Sequence, residues 1–118
     1  MKFMLLIVEP RGQRDTRSEG EGRGLYAEMV EFGQGLAARG QLVASESLRP
    51  DSHGVRVQRR GEQASLVDGP FAEAREMVGG FFLIECESRD EAVKIAQACP
   101  AARFATVEVR ECAPCYVQ

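Results

Sequence analysis

Apolar residues run unbroken from Phe3 to Val8, with Lys2 before them and Glu9-Pro10 after. A run of that length closed by a breaker reads as a strand buried on both sides, with Phe3, Leu5 and Ile7 facing one way and Met4, Leu6 and Val8 the other. Glu9 to Gly24 then holds almost no apolar side chain, and reads as a long solvated loop with nothing to anchor it. From Leu25 the period changes. Leu25, Met29, Phe32 and Leu36 form one stripe of an amphipathic helix that ends at Arg39, with Gly40 as its C-cap and Tyr26 at the edge of the buried face. Gln41–Leu48 reads as a second strand, ended by Pro50-Asp51. Gly54–Arg60 and Ala64–Asp68 flank the turn Arg60-Gly61-Glu62, and the alternation of Val55 and Val57 with Arg56 and Gln58 suits a half-exposed hairpin. Asp68-Gly69-Pro70 breaks the pattern, and Phe71–Met77 reads as a loop or a single helical turn. Gly80–Ile84 is another strand apolar on both sides. Ser88 and Glu91 form a capping box for a helix that turns Ala92, Ile95, Ala96 and Cys99 inward and stops at Pro100. Phe104–Val109 alternates as the last strand.

Strand, helix, strand, hairpin, strand, helix, strand predicts one α+β domain over residues 1–118, a ferredoxin-like βαββαβ sandwich with an extra hairpin. Right-handed crossovers place both helices on one face of the sheet. The other face is then open, yet its strands are apolar there too. A second copy of the same sheet is the simplest cover, which predicts a homodimer.

Composition narrows the partners. A formal net charge of −3 lacks the basic face of a nucleic-acid binder. The first apolar run falls well short of the roughly 20 residues a membrane span needs and has no cleavage site, so the expectation is a cytoplasmic protein with neither membrane nor nucleic-acid partner. The four cysteines, Cys86, Cys99, Cys112 and Cys115, are then expected as free thiols. Cys112 and Cys115 form a CxxC pair, but it follows a strand instead of opening a helix, and Cys86 and Cys99, inside predicted elements, are badly placed to complete a four-ligand metal site. Gly20, Gly22 and Gly24 lack the strand–turn–helix setting of a dinucleotide site. No cofactor and no metal is expected.

Asp68-Gly69-Pro70-Phe71-Ala72-Glu73 followed by Gly79-Gly80-Phe81 resembles the signature of the DGPF group of YCII-related proteins, as do Met4-Leu5-Leu6-Ile7, Ser47-Leu48-Arg49-Pro50 and Val107-Glu108-Val109-Arg110. The resemblance spans most of the chain outside Glu9–Gly24 and the last few residues. It implies a dimeric α+β barrel in which two ferredoxin-like sheets pack face to face. One relative in the wider family is a chloromuconolactone dehalogenase, and the wider branch often carries a histidine on the first helix, suspected of acid–base work with a carboxylate. Met29 stands near that histidine's place here, and the chain's one histidine, His53, lies elsewhere.

The motif residues admit a structural and a chemical reading. Structurally, Asp68 caps backbone amides of its turn, Gly69 gives freedom, Pro70 fixes φ and Phe71 plugs the core. Chemically, Asp68 and Glu73 stand at a cleft as acid and base, with His53 as a further catalytic candidate. Arg49, Arg75 and Phe71 are then the candidates to hold an anionic or aromatic ligand. Three function classes follow: a homodimeric small-molecule-binding or accessory protein, which is preferred; an enzyme on a small aromatic or anionic substrate; and an interaction module linked to transcriptional regulation, which rests on the resemblance alone.

Overall fold

The alternation that starts at Phe3 places β1 (Lys2–Pro10) inside a sheet. In the computed structural model, which describes residues 1–118, four antiparallel strands lie in the order β2 (Leu42–Ser47), β5 (Glu76–Glu85), β1, β6 (Thr106–Glu111). This is the ferredoxin-like order, with α1 (Glu19–Ala38) and α2 (Arg89–Ala98) on one face. Phe3, Leu5, Ile7, Phe82 and Ile84 are buried on that face beneath Leu36 of α1 and Ala92, Ile95 and Ala96 of α2. The small alanines let α2 approach the sheet closely. Phe32 of α1 meets Phe82 edge to face, 5.2 Å between ring centres. No helix is long and apolar enough to cross a membrane.

Met4, Leu6, Val8, Val78, Phe81 and Leu83 point to the opposite face, half-buried at most. Glu108 and Arg110 on β6 and Glu46 on β2 border them. β3 (Val55–Arg60) and β4 (Gln63–Asp68) form a separate hairpin, every residue of which is exposed. Its register puts Val55, Val57 and Leu66 on one side, Leu66 68% exposed. The chain is a plate of 46 × 42 × 19 Å with a radius of gyration of 16.1 Å, against about 13–14 Å for a compact domain of this length.

The region from Glu9 to Gly24 differs from the expected unanchored loop. β1 continues to Pro10, a single 3-10 turn spans Gln13–Thr16, and α1 begins at Glu19, well before Leu25. Polar contacts replace the missing apolar anchors. Arg11 donates to the carbonyls of Phe71 (3.0 Å) and Ala74 (3.2 Å), and Gln13 to that of Phe104 (2.8 Å). Arg11 Nε also lies 2.9 Å from Asp51 Oδ2, a charge contact whose geometry does not make a hydrogen bond. Ser18 and Glu21 supply a complete capping box, which explains the early start of α1. In α2 only half of the expected box forms. Ser88 caps the Glu91 amide, while the Glu91 carboxylate accepts from the Glu87 amide and from Gln41, tying the helix to the approach to β2. β5 starts at Glu76 because Pro10 and Glu9 continue to pair with it.

The Asp68-Gly69-Pro70-Phe71 turn also departs from expectation. The Asp68 side chain is exposed and makes no hydrogen bond, so it caps nothing. Gly69 carries the packing: its amide donates to the Gly54 carbonyl (2.8 Å), and a Cβ there would overlap the Asp51 carbonyl oxygen. Phe71 is half-buried beneath the Arg56 guanidinium, 3.8 Å from its ring centre, and is not part of the core. All four cysteines are unpaired; Cys86 and Cys99 are buried, and burial pushes the Cys99 thiol up, whereas Cys112 and Cys115 are exposed past β6.

The turn makes a clear prediction. Asp68→Ala should leave unfolding within about 0.5 kcal/mol of wild type, as for an uninvolved surface side chain. Gly69→Ala should cost about 1–3 kcal/mol, because backbone must move to admit the methyl. Urea unfolding of both variants checks this, and an Asp68→Ala cost as large as that of Gly69→Ala would restore the capping role.

Candidate functional site

The period-two pattern of β1 has a consequence at its end. Phe3, Leu5 and Ile7 face the helices, so Glu9 does as well, and its carboxylate is buried (side chain 6% exposed). An isolated carboxylate there would be costly, and the chain meets that cost locally. The 3-10 turn brings Arg14 back over it. Arg14 Nε donates to both Glu9 oxygens (3.0 and 3.2 Å) and Nη2 to Oε1. The remaining donors reach the carbonyls of Leu48 (2.8 Å) and Gly79 (3.3 Å). Gly79 is the extra residue where the β1–β5 register shifts between Ile7 and Val8. A Cβ at Gly79 would overlap Glu9 Oε1, so the carboxylate lies where a side chain would otherwise be. The Gly79 carbonyl also accepts from the Leu48 amide, joining β1, β5 and the exit of β2 at one point.

Beside this junction α1 stands away from β2 and β5 and leaves a cleft of about 830 Å³. Its floor is Ile7, Leu42, Ser45, Gly80 and Phe82. Its α1 wall recurs at helical spacing through Gly22, Tyr26, Met29, Gly33 and Ala37, and Arg17 and Phe104 close one end. Gly33 keeps the wall thin where it meets Phe82: a Cβ would sit 3.3 Å from Phe82 Cε1. The volume lies within the roughly 300–1,000 Å³ usual for small-molecule sites, and the lining mixes apolar side chains with charged and polar ones. Glu9 and Arg14 at the margin are fully engaged with each other. Met29 presents a thioether 4.0 Å from the Cys99 thiol.

None of the candidate catalytic or ligand-binding residues lines this cleft, whereas Gly79, Gly80 and Phe81 do. His53, Asp68, Glu73, Arg49 and Arg75 are all exposed. The segments bearing His53 and Asp68 do meet, through the Gly69–Gly54 hydrogen bond, but neither side chain has a hydrogen-bond partner. Glu9, Arg14 and Arg17 were not among those candidates, and Gly79 entered only as part of the Gly79-Gly80-Phe81 run. The signal for Glu9 was present: an acid at the next inward position of a strict alternation must find a partner, and arginines follow it.

The family model of the YCII-related domain matches residues 1–115. An uncharacterised protein of Rhizobium meliloti (strain 1021) is 36% identical over 97 residues, 82% of this chain and 78% of that protein. Among solved structures, a 5-chloro-2-hydroxyhydroquinone dehydrochlorinase from Burkholderia phenoliruptrix AC1100, in complex with 2,5-dihydroxybenzoquinone, shares the fold with a TM-score of 0.55. It is 19% identical, and the match covers 96% of this chain and 94% of that one.

The buried pair yields a stability prediction. Glu9→Gln leaves the Arg14 guanidinium without its anion among carbonyls. Breaking a buried pair costs about 3–5 kcal/mol, and because Arg14 keeps 30% exposure the expected loss is nearer about 2–3 kcal/mol. Combining it with Arg14→Gln should cost less than the sum of the two single changes. Additive costs in a denaturation cycle would show that the two side chains do not work as a pair.

Proposed function

The chain belongs to the YCII-related family, and on that footing we propose that it is a homodimeric protein that binds a small organic molecule in the cleft between α1 and the sheet. The observation that carries this reading is the cleft itself: about 830 Å³ between a helix and the sheet it covers, walled by Phe82, Phe104, Ile7 and Met29. The likeness in fold to a dehydrochlorinase captured with a small cyclic quinone is in keeping with this size of ligand. Binding is favoured over acid–base catalysis by the polar groups around the cleft. The one buried carboxylate has both oxygens engaged by Arg14, and no histidine lines the space.

The homodimer has separate support. Met4, Leu6, Phe81 and Leu83 make an apolar centre on the uncovered sheet face, and Glu46, Glu108 and Arg110 make a polar border, which is the anatomy of a protein interface. The plate-like shape and the fully exposed hairpin fit a protomer that gains its missing thickness from a second copy.

Ligand binding is tested by filling the cleft. Gly22 lies on its wall, and a Cβ there meets nothing within 4 Å. Gly22→Phe should therefore fold at least as well as wild type, since glycine inside a helix costs about 1 kcal/mol, yet it should abolish saturable binding of small aromatic ligands seen by calorimetry. Undiminished binding to a normally melting Gly22→Phe would move the site elsewhere.

The dimer is tested by light scattering at micromolar protein, which should return twice the 13.0 kDa chain mass. Leu6→Lys, at the centre of the uncovered face, should return the single mass while leaving the helix-facing core intact.

A further inference from the structure

Three arginines line the cleft: Arg14, Arg17 and Arg23. Two are spent. Arg14 is held by Glu9 and two carbonyls, and Arg23 pairs with Glu19 at 2.9 Å. Arg17 differs from both. It is half-buried, and its guanidinium has neither a carboxylate nor a hydrogen-bond acceptor in the protein. It is nonetheless in a defined place, with its Cζ 4.7 Å from the centre of the Phe104 ring. Phe104 is itself fixed, because its carbonyl accepts from Gln13. Stacking occupies a face of the guanidinium and leaves its edges, which carry all five N–H donors, without a partner.

An arginine that is partly removed from water, oriented by a ring and given no internal acceptor is suited to take an anion in two parallel hydrogen bonds. We infer that Arg17 is the anion-binding end of the cleft, and that the ligand is a flat aromatic or alicyclic carboxylate whose ring lies along the α1 wall beside Tyr26 and Met29 while its carboxylate meets the Arg17 guanidinium. The inference rests on the cleft being a ligand site and adds to it the charge and orientation of the ligand. The other charges around the cleft support the sign. Glu9 is neutralised by Arg14 and Glu19 by Arg23, while Glu46 pairs with Phe81 in the sheet register and so projects from the opposite face. Arg17 is left as the uncompensated charge.

The test uses the whole chain and two probes of one shape, 2-naphthoate and its neutral amide 2-naphthamide, with dissociation constants from calorimetry and the contact region from amide chemical shifts. Wild type should bind the carboxylate more tightly than the amide, with shifts along α1 and β5. Arg17→Met should melt as wild type does, since Arg17 has no partner in the protein beyond Phe104. It should lose about 10- to 100-fold in affinity for 2-naphthoate, the range for a charged hydrogen bond, and leave 2-naphthamide unchanged. Arg17→Lys should recover part of the loss. Equal affinity for the two probes, or an Arg17→Met variant that binds 2-naphthoate as wild type does, overturns the anion site and leaves the cleft as a ligand site. Absence of cleft shifts with either probe overturns the ligand-site reading, and this inference with it.

Discussion

A carboxylate facing the core at the end of the central strand constrains much of this molecule. Glu9 can be buried only if a cation comes to it, and Arg14 does so from a short 3-10 turn directly after the strand. Once Arg14 is fixed, the chain between β1 and α1 has little freedom left. Gly79 must be a glycine to admit the carboxylate, the β1–β5 register must shift there, and the exit of β2 is tied to the same carbonyl through Leu48. Ser18 then starts α1 a few residues later, at the margin of the cleft. One buried charge thus links the register of the sheet to the position of the helix that walls the cleft.

Arg11 acts in parallel on the other side of the connection. It holds the loop after the Asp68-Gly69-Pro70-Phe71 turn through the carbonyls of Phe71 and Ala74, and faces Asp51 beneath Gly69. The turn is thus a packing device that joins the hairpin to the body of the sheet, and its tightest requirement is the missing side chain of Gly69. Its polar residues face solvent. The turn itself lies away from the cleft, whereas the Gly79-Gly80-Phe81 part of the same signature lines it.

The arginines of the polar stretch after β1 divide into those that build and those left free. Arg11 and Arg14 use their donors on carbonyls and carboxylates of the chain, while Arg17 stacks on Phe104 and keeps its donors. In sequence the three look alike. Only the accounting of hydrogen-bond partners separates them, because a guanidinium with five donors is structural where the protein supplies acceptors and available where it does not.

The sequence by itself determined the elements and their order. A two-sided apolar strand, a stripe at 3.6-residue spacing, the Arg60-Gly61-Glu62 turn and the Ser88 cap are local patterns, and the backbone obeys them because burial and capping act over a few residues. The ferredoxin-like arrangement followed, since short connections and crossover handedness leave few alternatives. The early start of α1 was legible too, in Ser18 and Glu21, had the capping box outweighed the glycines that follow it. Tertiary structure decided where the charges go. That Glu9 is buried, that Arg14 meets it, that Asp68 caps nothing and that Arg17 lies on Phe104 all depend on contacts between distant segments, which no local period encodes. The cleft belongs to the same class, for it is the gap between α1 and β2, and a gap has no residue of its own to announce it.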